Sequence, residues 1–338
     1  MRAFLKDIAY YLPEKILTNE EIAMQFPEWS AEKVANKVGI TERHIAADDE
    51  TATDMAYRAA ERLFAQGVAK RDEVDFIILC TQSPDYKLPS SACLLQARLG
   101  ISNNCGAFDF NLGCSGYEYG LAVAKGLVLA GVAKNILFVT AETYTKYLHP
   151  LDKGNMTIFG DAASATLVST DGFAEIGEIV VGTDGKGGEN LIVRTLGARH
   201  IDLANDAHLD EDGNLISSDH LYMHGANVFN FTAEVVPPMV EKLLEKAGIK
   251  PQEVDLWVFH QANKYMINYL RKLLDIDKDK FYLSMEKVGN TVSSTVPIAL
   301  CEARKEGKLH GNVLLAGFGV GLSWAGCVIK CQKHIQKL

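Results

Sequence analysis

Three side chains combine into a nucleophile with two polar partners. Cys114 stands in Asn111-Leu-Gly-Cys-Ser-Gly-Tyr117, where a glycine on either side leaves room for a substrate and permits unusual backbone angles. A segment with only Glu118 and Lys125 charged runs from Tyr117 to Ala130 and predicts a helix buried nearly all round. Cys114 is placed at its N-terminus, where free N–H groups and the helix dipole favour a thiolate and lower the thiol pKa. His260 closes the apolar run Val254–Phe259 and opens Gln261-Ala-Asn-Lys264, the one histidine at the end of a predicted buried strand. Asn290 lies in Val288-Gly-Asn-Thr-Val-Ser-Ser294, and Gly317-Phe-Gly-Val-Gly321 follows another apolar run. That glycine loop lacks the helix and acidic residue of a nucleotide motif and is read as a source of N–H donors for an oxyanion.

Taken singly, each feature has a plainer reading: a small core cysteine, a satisfied buried histidine, an asparagine turn. The core reading is applied to Cys80, Cys93, Cys105, Cys301 and Cys327. Together, Cys, His and Asn serve two reaction classes. In a cysteine hydrolase His is the general base and Asn orients it. In an acyl-transferring condensing enzyme the Cys carries an acyl group, while His and Asn donate hydrogen bonds to an enolate. The papain-type flank C-G-S-C-W is absent, and the layout of the chain suits the second class better.

That layout alternates strands and helices. Apolar runs predict strands at Asp75–Thr81, Gly106–Phe110, Asn135–Ala141 and Ala163–Ser169, then at Val254–His260, Phe281–Ser284, Asn312–Gly317 and Trp324–Lys330. Thr53–Gln66 and Val235–Ala247 read as helices, so the chain is α/β with a largely parallel, buried sheet. Residues 56–76 can be laid on 236–256 without a gap. Glu61, Leu63, Lys70, Glu73, Val74 and Asp75 then recur as Glu241, Leu243, Lys250, Glu253, Val254 and Asp255. The match predicts a duplication, residues 1–172 carrying the Cys and 173–338 carrying His and Asn, with sites at the central junction. Between the halves, 182–219 reads as a surface excursion whose acidic tip Asp210-Glu211-Asp212 lacks the spacing of a calcium loop.

The 338 residues are 48% hydrophobic and 23% charged, an ordinary globular mix. A net charge of −9 without clustered Lys and Arg argues against nucleic acid. No apolar stretch is long enough to span a membrane and no signal peptide is visible. Seven cysteines without a CxxC pair suggest reduced thiols in a cytoplasmic protein, with neither a disulfide frame nor a metal site.

The four motifs together resemble one family, the β-ketoacyl-acyl-carrier-protein synthases III, initiating condensing enzymes of the thiolase-like fold. The resemblance runs from Val38-Gly-Ile-Thr-Glu-Arg-His-Ile-Ala46 to Gly326. It includes Phe159-Gly-Asp-Ala-Ala-Ser-Ala165, similar to the family's FGDGAGA, with Phe259-His-Gln-Ala-Asn263 and Gly289-Asn-Thr291. It implies a homodimer of internally duplicated αβαβα subunits, each half a five-stranded layer. It also implies ping-pong chemistry in which Cys114 takes an acyl group from acyl-CoA or an acyl carrier protein. Malonyl-carrier protein then loses CO₂ and its enolate attacks. His260 and Asn290 would hydrogen-bond the thioester oxygen, and the N–H groups of Cys114 and Gly321 would hold the second oxyanion.

No metal or cofactor is implied beyond CoA or phosphopantetheine thioesters as substrates. Trp29, Lys37 and Lys153 would meet CoA, Leu88 the acyl pocket, and Lys264, Arg271 and Lys272 an acidic carrier protein. The chain departs from the family at Val320, where a third glycine is usual, and in extra residues between Trp29 and Gly39. Lys37, Lys153 and Tyr265 stand where arginines are usual. Lysine keeps charge but loses the bidentate fork, so a carrier protein is the expected acyl donor. Thiolases use a second cysteine in a glycine-rich C-terminal motif, and Gly317–Gly321 has none.

Overall fold

A computed structural model describes residues 1–211 and 213–332. Asp212 of the acidic tip and residues 333–338 lie outside the described residues. The central sheet has nine strands: β1 (Phe4–Tyr11), β2 (Phe76–Cys80), β3 (Gly106–Phe110), β4 (Ile136–Glu142), β5 (Ala162–Ser169), β6 (Ala174–Thr183), β7 (Leu256–Phe259), β8 (Gly311–Gly319) and β9 (Ser323–Cys331). Their order is β7-β8-β9-β6-β1-β5-β4-β2-β3. Reading outward from the β6/β1 junction, both sides run first strand, last strand, next-to-last, second. The duplicated winding is therefore visible in the backbone. The junction itself is narrow, with only Phe4 opposite Glu175 and Leu5 opposite Ala174.

Six helices matter to the site: α1 (Ala31–Val38), α2 (Ala52–Ala65), α3 (Gly116–Leu129), α4 (Gly225–Ala247), α5 (Lys264–Leu273) and α6 (Thr295–Lys305). α2 covers β1, β4 and β5, and α4 covers β6, β8 and β9. α3 packs on strands of both halves, as does α6 against β1, β5 and β7. They form the middle layer of an α-β-α-β-α stack, which explains why α3 carries so little charge. Gly120 of α3 is required by that packing, because a Cβ there would lie 2.0 Å from the Phe138 ring. Lys125 leaves the layer by donating from Nζ to the Gly177 carbonyl at 2.6 Å.

Several expectations need correction, first the largely parallel sheet: five of the eight strand pairings in the central sheet of the described residues are antiparallel. Phe281–Ser284 is no strand: the fifth place of the second half is a single bridge between Trp257 and Phe281. β1 and β6, unmarked by the apolar runs, are the two strands that join the halves. Charged residues such as Lys6 and Asp7 interrupt β1, hiding it from a hydrophobicity reading, although Asp7 is buried and ion-paired to Arg304 at 2.6 Å. α4 begins at Gly225 rather than Val235, so Pro237 and Pro238 lie inside it. Beyond Thr183 the excursion is punctuated by short ladders, Leu191–Ile192 with Tyr222–Met223 and His208–Leu209 with Leu215–Ile216. Cys93 is exposed and Cys105 half-buried, while Cys80, Cys301 and Cys327 lie in the core.

Candidate active site

Cys114, His260 and Asn290 line one cavity of about 350 Å³, walled mainly by apolar side chains such as Ile158, Phe159, Met266 and Phe318. The loop after β3 delivers Cys114, the end of β7 delivers His260, and the segment before α6 delivers Asn290. His260 is pinned to the neighbouring strand by its N–H, which donates to the Ala316 carbonyl at 2.7 Å. Asn290 is clamped by the Phe159-Gly-Asp motif: its N–H donates to Ile158 and its carbonyl accepts from Gly160 at 3.0 Å. Gly289 needs its glycine, with φ +75° and a would-be Cβ 3.0 Å from the Ile158 carbonyl. The Asn290 Oδ1 accepts from Val292 N–H at 2.9 Å. Its amide nitrogen is thereby left as the donor.

Cys114 differs electrostatically from the sequence expectation. α3 starts at Gly116 with Ser115 as N-cap, so Cys114 precedes the cap. The backbone N–H groups of Val320 and of Cys114 itself act to lower its thiol pKa. Burial, then the neighbouring Glu142 carboxyl, nevertheless push the thiol up to about 12. Lost hydration costs the thiolate more than the helix end returns. His260 is shifted the other way, down to about 3, because burial disfavours imidazolium. The resting pair is a neutral thiol and a neutral imidazole.

Val320, rather than Gly321, is the loop residue whose N–H acts on the thiol. β8 runs out through Gly319 directly beside the thiol, a would-be Cβ of Gly319 lying 2.9 Å from Cys114 Cβ and Sγ. Val320 comes next along the chain, and Gly321 supplies the φ of +139° that turns it into β9. Ser323 Oγ donates to the Val320 carbonyl at 2.7 Å, and Ser115 Oγ lies 2.8 Å from Ser323 Oγ. These buried hydroxyls tie the residue after Cys114 to the loop that faces it. Val320's side chain fills space over Gly113, where a Cβ would meet its Cγ1 at 2.6 Å.

Behind the cysteine lies a group without any sequence signal. Glu142, fully buried at the end of β4, accepts from Gln82 N–H at 2.9 Å, Ser83 Oγ at 3.2 Å and Ser293 Oγ at 3.0 Å. It connects the first half to the Asn290 segment, and burial raises its carboxyl to about 8. An ionisable residue inside an apolar strand gives no hint of what it faces until the sheet is assembled.

Two family descriptions match the chain: 3-oxoacyl-[acyl-carrier-protein (ACP)] synthase III over residues 108–185, and its C-terminal part over residues 244–331. Over 327 residues the chain is 37% identical to the beta-ketoacyl-[acyl-carrier-protein] synthase III of Caldanaerobacter subterraneus subsp. tengcongensis, covering 96% of each. The chain belongs to the 3-oxoacyl-(acyl-carrier-protein) synthase III family. A solved 3-oxoacyl-(acyl-carrier-protein) synthase III matches with TM-score 0.95 and 52% identity over 98% of this chain and 100% of that one. The 3-oxoacyl-(acyl-carrier protein) synthase of Burkholderia xenovorans LB400 matches with TM-score 0.89 and 32% identity, over 97% and 93%.

The remaining residues expected of a synthase III divide. Trp29, Lys37 and Lys153 line a second cavity of about 580 Å³, which shares Ile158, Met223, Gly225 and Ala226 with the cavity of Cys114. Inside it the Trp29 ring is already faced by Lys37 Nζ at 5.2 Å, and Lys153 pairs with Glu28 at 3.1 Å. Leu88 lies outside the Cys114 cavity of its own chain. It sits 82% exposed in the loop after β2, just before the helix capped by Ser90. On α5, Lys264 and Lys272 are exposed. Arg271 is not a free surface cation, because its guanidinium folds back to donate to the Ile276 carbonyl at 2.8 Å.

Proposed function

We propose that this synthase III condenses an acyl thioester with malonyl-carrier protein, through an acyl group on Cys114 and with loss of CO₂. The observation that carries this is the meeting of Cys114, His260 and Asn290 on one apolar cavity. In loading, the Cys114 sulfur bonds to the acyl carbon, the donor's C–S bond breaks, and the thiol proton leaves with the donor thiol. In condensation, the malonyl C–CO₂ bond breaks and its electron pair becomes an enolate, which forms the carbon–carbon bond to the acyl carbon. The Cys114 C–S bond then breaks with its electron pair on sulfur, and the thiolate takes a proton from water to return to the thiol.

Two negative charges develop, and two donor pairs suit them. His260 and the Asn290 amide face the enolate oxygen, and the N–H groups of Cys114 and Val320 face the acyl oxygen. A neutral imidazole fits a donor role and does not fit the thiolate–imidazolium pair of a cysteine hydrolase. Apolar walls favour decarboxylation, since a charged carboxylate becomes neutral CO₂.

The occupied Trp29 face and the lysines in place of arginines support a carrier protein over CoA as acyl donor. No metal or prosthetic group enters any step. The exposed edge of β3, beside exposed Tyr86 and Leu88, suits pairing with a second copy in a homodimer, and seven free thiols suit a reducing compartment.

The test is incubation with acyl donor and malonyl-carrier protein. A 3-oxoacyl product with equimolar CO₂ is expected, with Cys114→Ser forming no acyl-enzyme. His260→Ala and Asn290→Ala should load acyl groups yet lose roughly 10²–10³ in CO₂ release. Free acid without CO₂ overturns the reading.

A further inference from the structure

Beyond the cavity, among the described residues, the polar side chain hydrogen-bonded to the His260 ring is that of Thr295. The ring Nδ1 lies 2.7 Å from Thr295 Oγ1, and Phe318 covers the ring edge-on at 5.8 Å between centroids. Thr295 is buried and opens α6. Its hydroxyl also lies 3.1 Å from the Val292 carbonyl, which already accepts the Thr295 backbone N–H. One hydroxyl proton thus has two acceptors within reach.

The choice fixes the tautomer of a neutral imidazole. With its proton on Nδ1, the ring would donate to Thr295 and turn a bare Nε2 lone pair to the cavity, where it could act only as a base. With its proton on Nε2, the ring accepts from Thr295 and offers an N–H to the cavity. Both arrangements use the same 2.7 Å contact and leave the Val292 carbonyl partnered, but only the second gives His260 the cavity-facing N–H that the proposed enolate contact requires.

We infer that Thr295 is a positioning residue whose hydroxyl donates to His260 Nδ1 and thereby commits the imidazole N–H to Nε2. The inference rests on the donor role proposed above for His260. It makes the histidine a donor from the outset. The sequence Val292-Ser-Ser-Thr-Val carries no mark of this, since several hydroxyls there could equally serve the turn.

The experiment is ¹⁵N NMR of histidine-labelled full-length protein, the His260 signals being assigned by their loss in His260→Gln. The proton is expected on Nε2 in the wild type and in Thr295→Ser. Thr295→Val should lower CO₂ release about tenfold, the effect of one hydrogen bond, while acyl loading on Cys114 stays at the wild-type rate. Thr295→Ser should restore it. A wild-type spectrum with the proton on Nδ1, or full CO₂ release in folded Thr295→Val, overturns the inference. If the wild type never releases CO₂ from malonyl-carrier protein, the condensing reading falls, while the spectrum still decides what Thr295 does.

Discussion

Gly319→Ala tests whether the thiol is held where the structure places it. The added Cβ would lie 2.9 Å from both Cβ and Sγ of Cys114. Such atoms rest about 3.5–4.0 Å apart, so one side must move by roughly 0.6–1.1 Å. Gly319 has little freedom, because it sits in register with Ser323 at the end of the β8–β9 pairing. Its φ lies outside the left-handed region, so alanine is compatible with the backbone and only the contact is tested. Cys114 is buried and short, and the Ser115–Ser323 contact holds the residue after it. The thiol must therefore swing away from the Val320 N–H. A displacement of about 1 Å costs on the order of 10² in rate, and overpacking costs about 1–3 kcal/mol of stability. Single-turnover acyl loading followed by intact mass, with urea unfolding of the same sample, measures both. Loading at the wild-type rate with unchanged unfolding would refute the placement of Cys114 against β8.

Two further outcomes follow from electrostatics. Glu142 has a folded-state pKa raised by burial to about 8 from 4.5. Its contribution to stability is fully present below the unfolded value and is lost as pH rises to about 8, by at most about 1.4 kcal/mol per pH unit. Glu142→Gln should flatten the pH dependence of the urea midpoint between about pH 5 and 8, and an unchanged slope would mean that Glu142 is not buried as described. At the cavity rim, Lys264→Glu with Lys272→Glu should raise KM for carrier-bound substrate, weaken its salt dependence and leave turnover nearly intact. Unchanged kinetics across a salt series would move carrier docking off α5.

Much of the site was legible because its residues are tied to local grammar. A glycine-flanked cysteine before an uncharged helix, a histidine closing an apolar strand and an asparagine after a glycine each mark a strand end or a helix start. In a duplicated α/β chain those ends converge. The repeat of 56–76 in 236–256 already pointed to the winding that brings β2 and β7 to equivalent places. Local pattern also fixed α2 and α3 to within one or two residues.

What the tertiary structure alone decided are properties set by neighbours distant in sequence. Helix chemistry by itself favours a thiolate at Cys114, yet burial and Glu142, brought in by β4, hold it as a thiol. The glycine loop promises N–H donors, but only the path of β8 brings Gly319 against Cys114. Arg271 looked like a free cation until the turn after α5 placed the Ile276 carbonyl within its reach. β1 and β6 escaped notice because a strand shielded by pairing on both sides can carry Lys6, Asp7 or Glu178 without an apolar run. Periodicity along the chain records which face each element buries. It does not record which buried groups meet, because desolvation and hydrogen bonding depend on atoms brought together only when the two half-sheets close on α3 and α6.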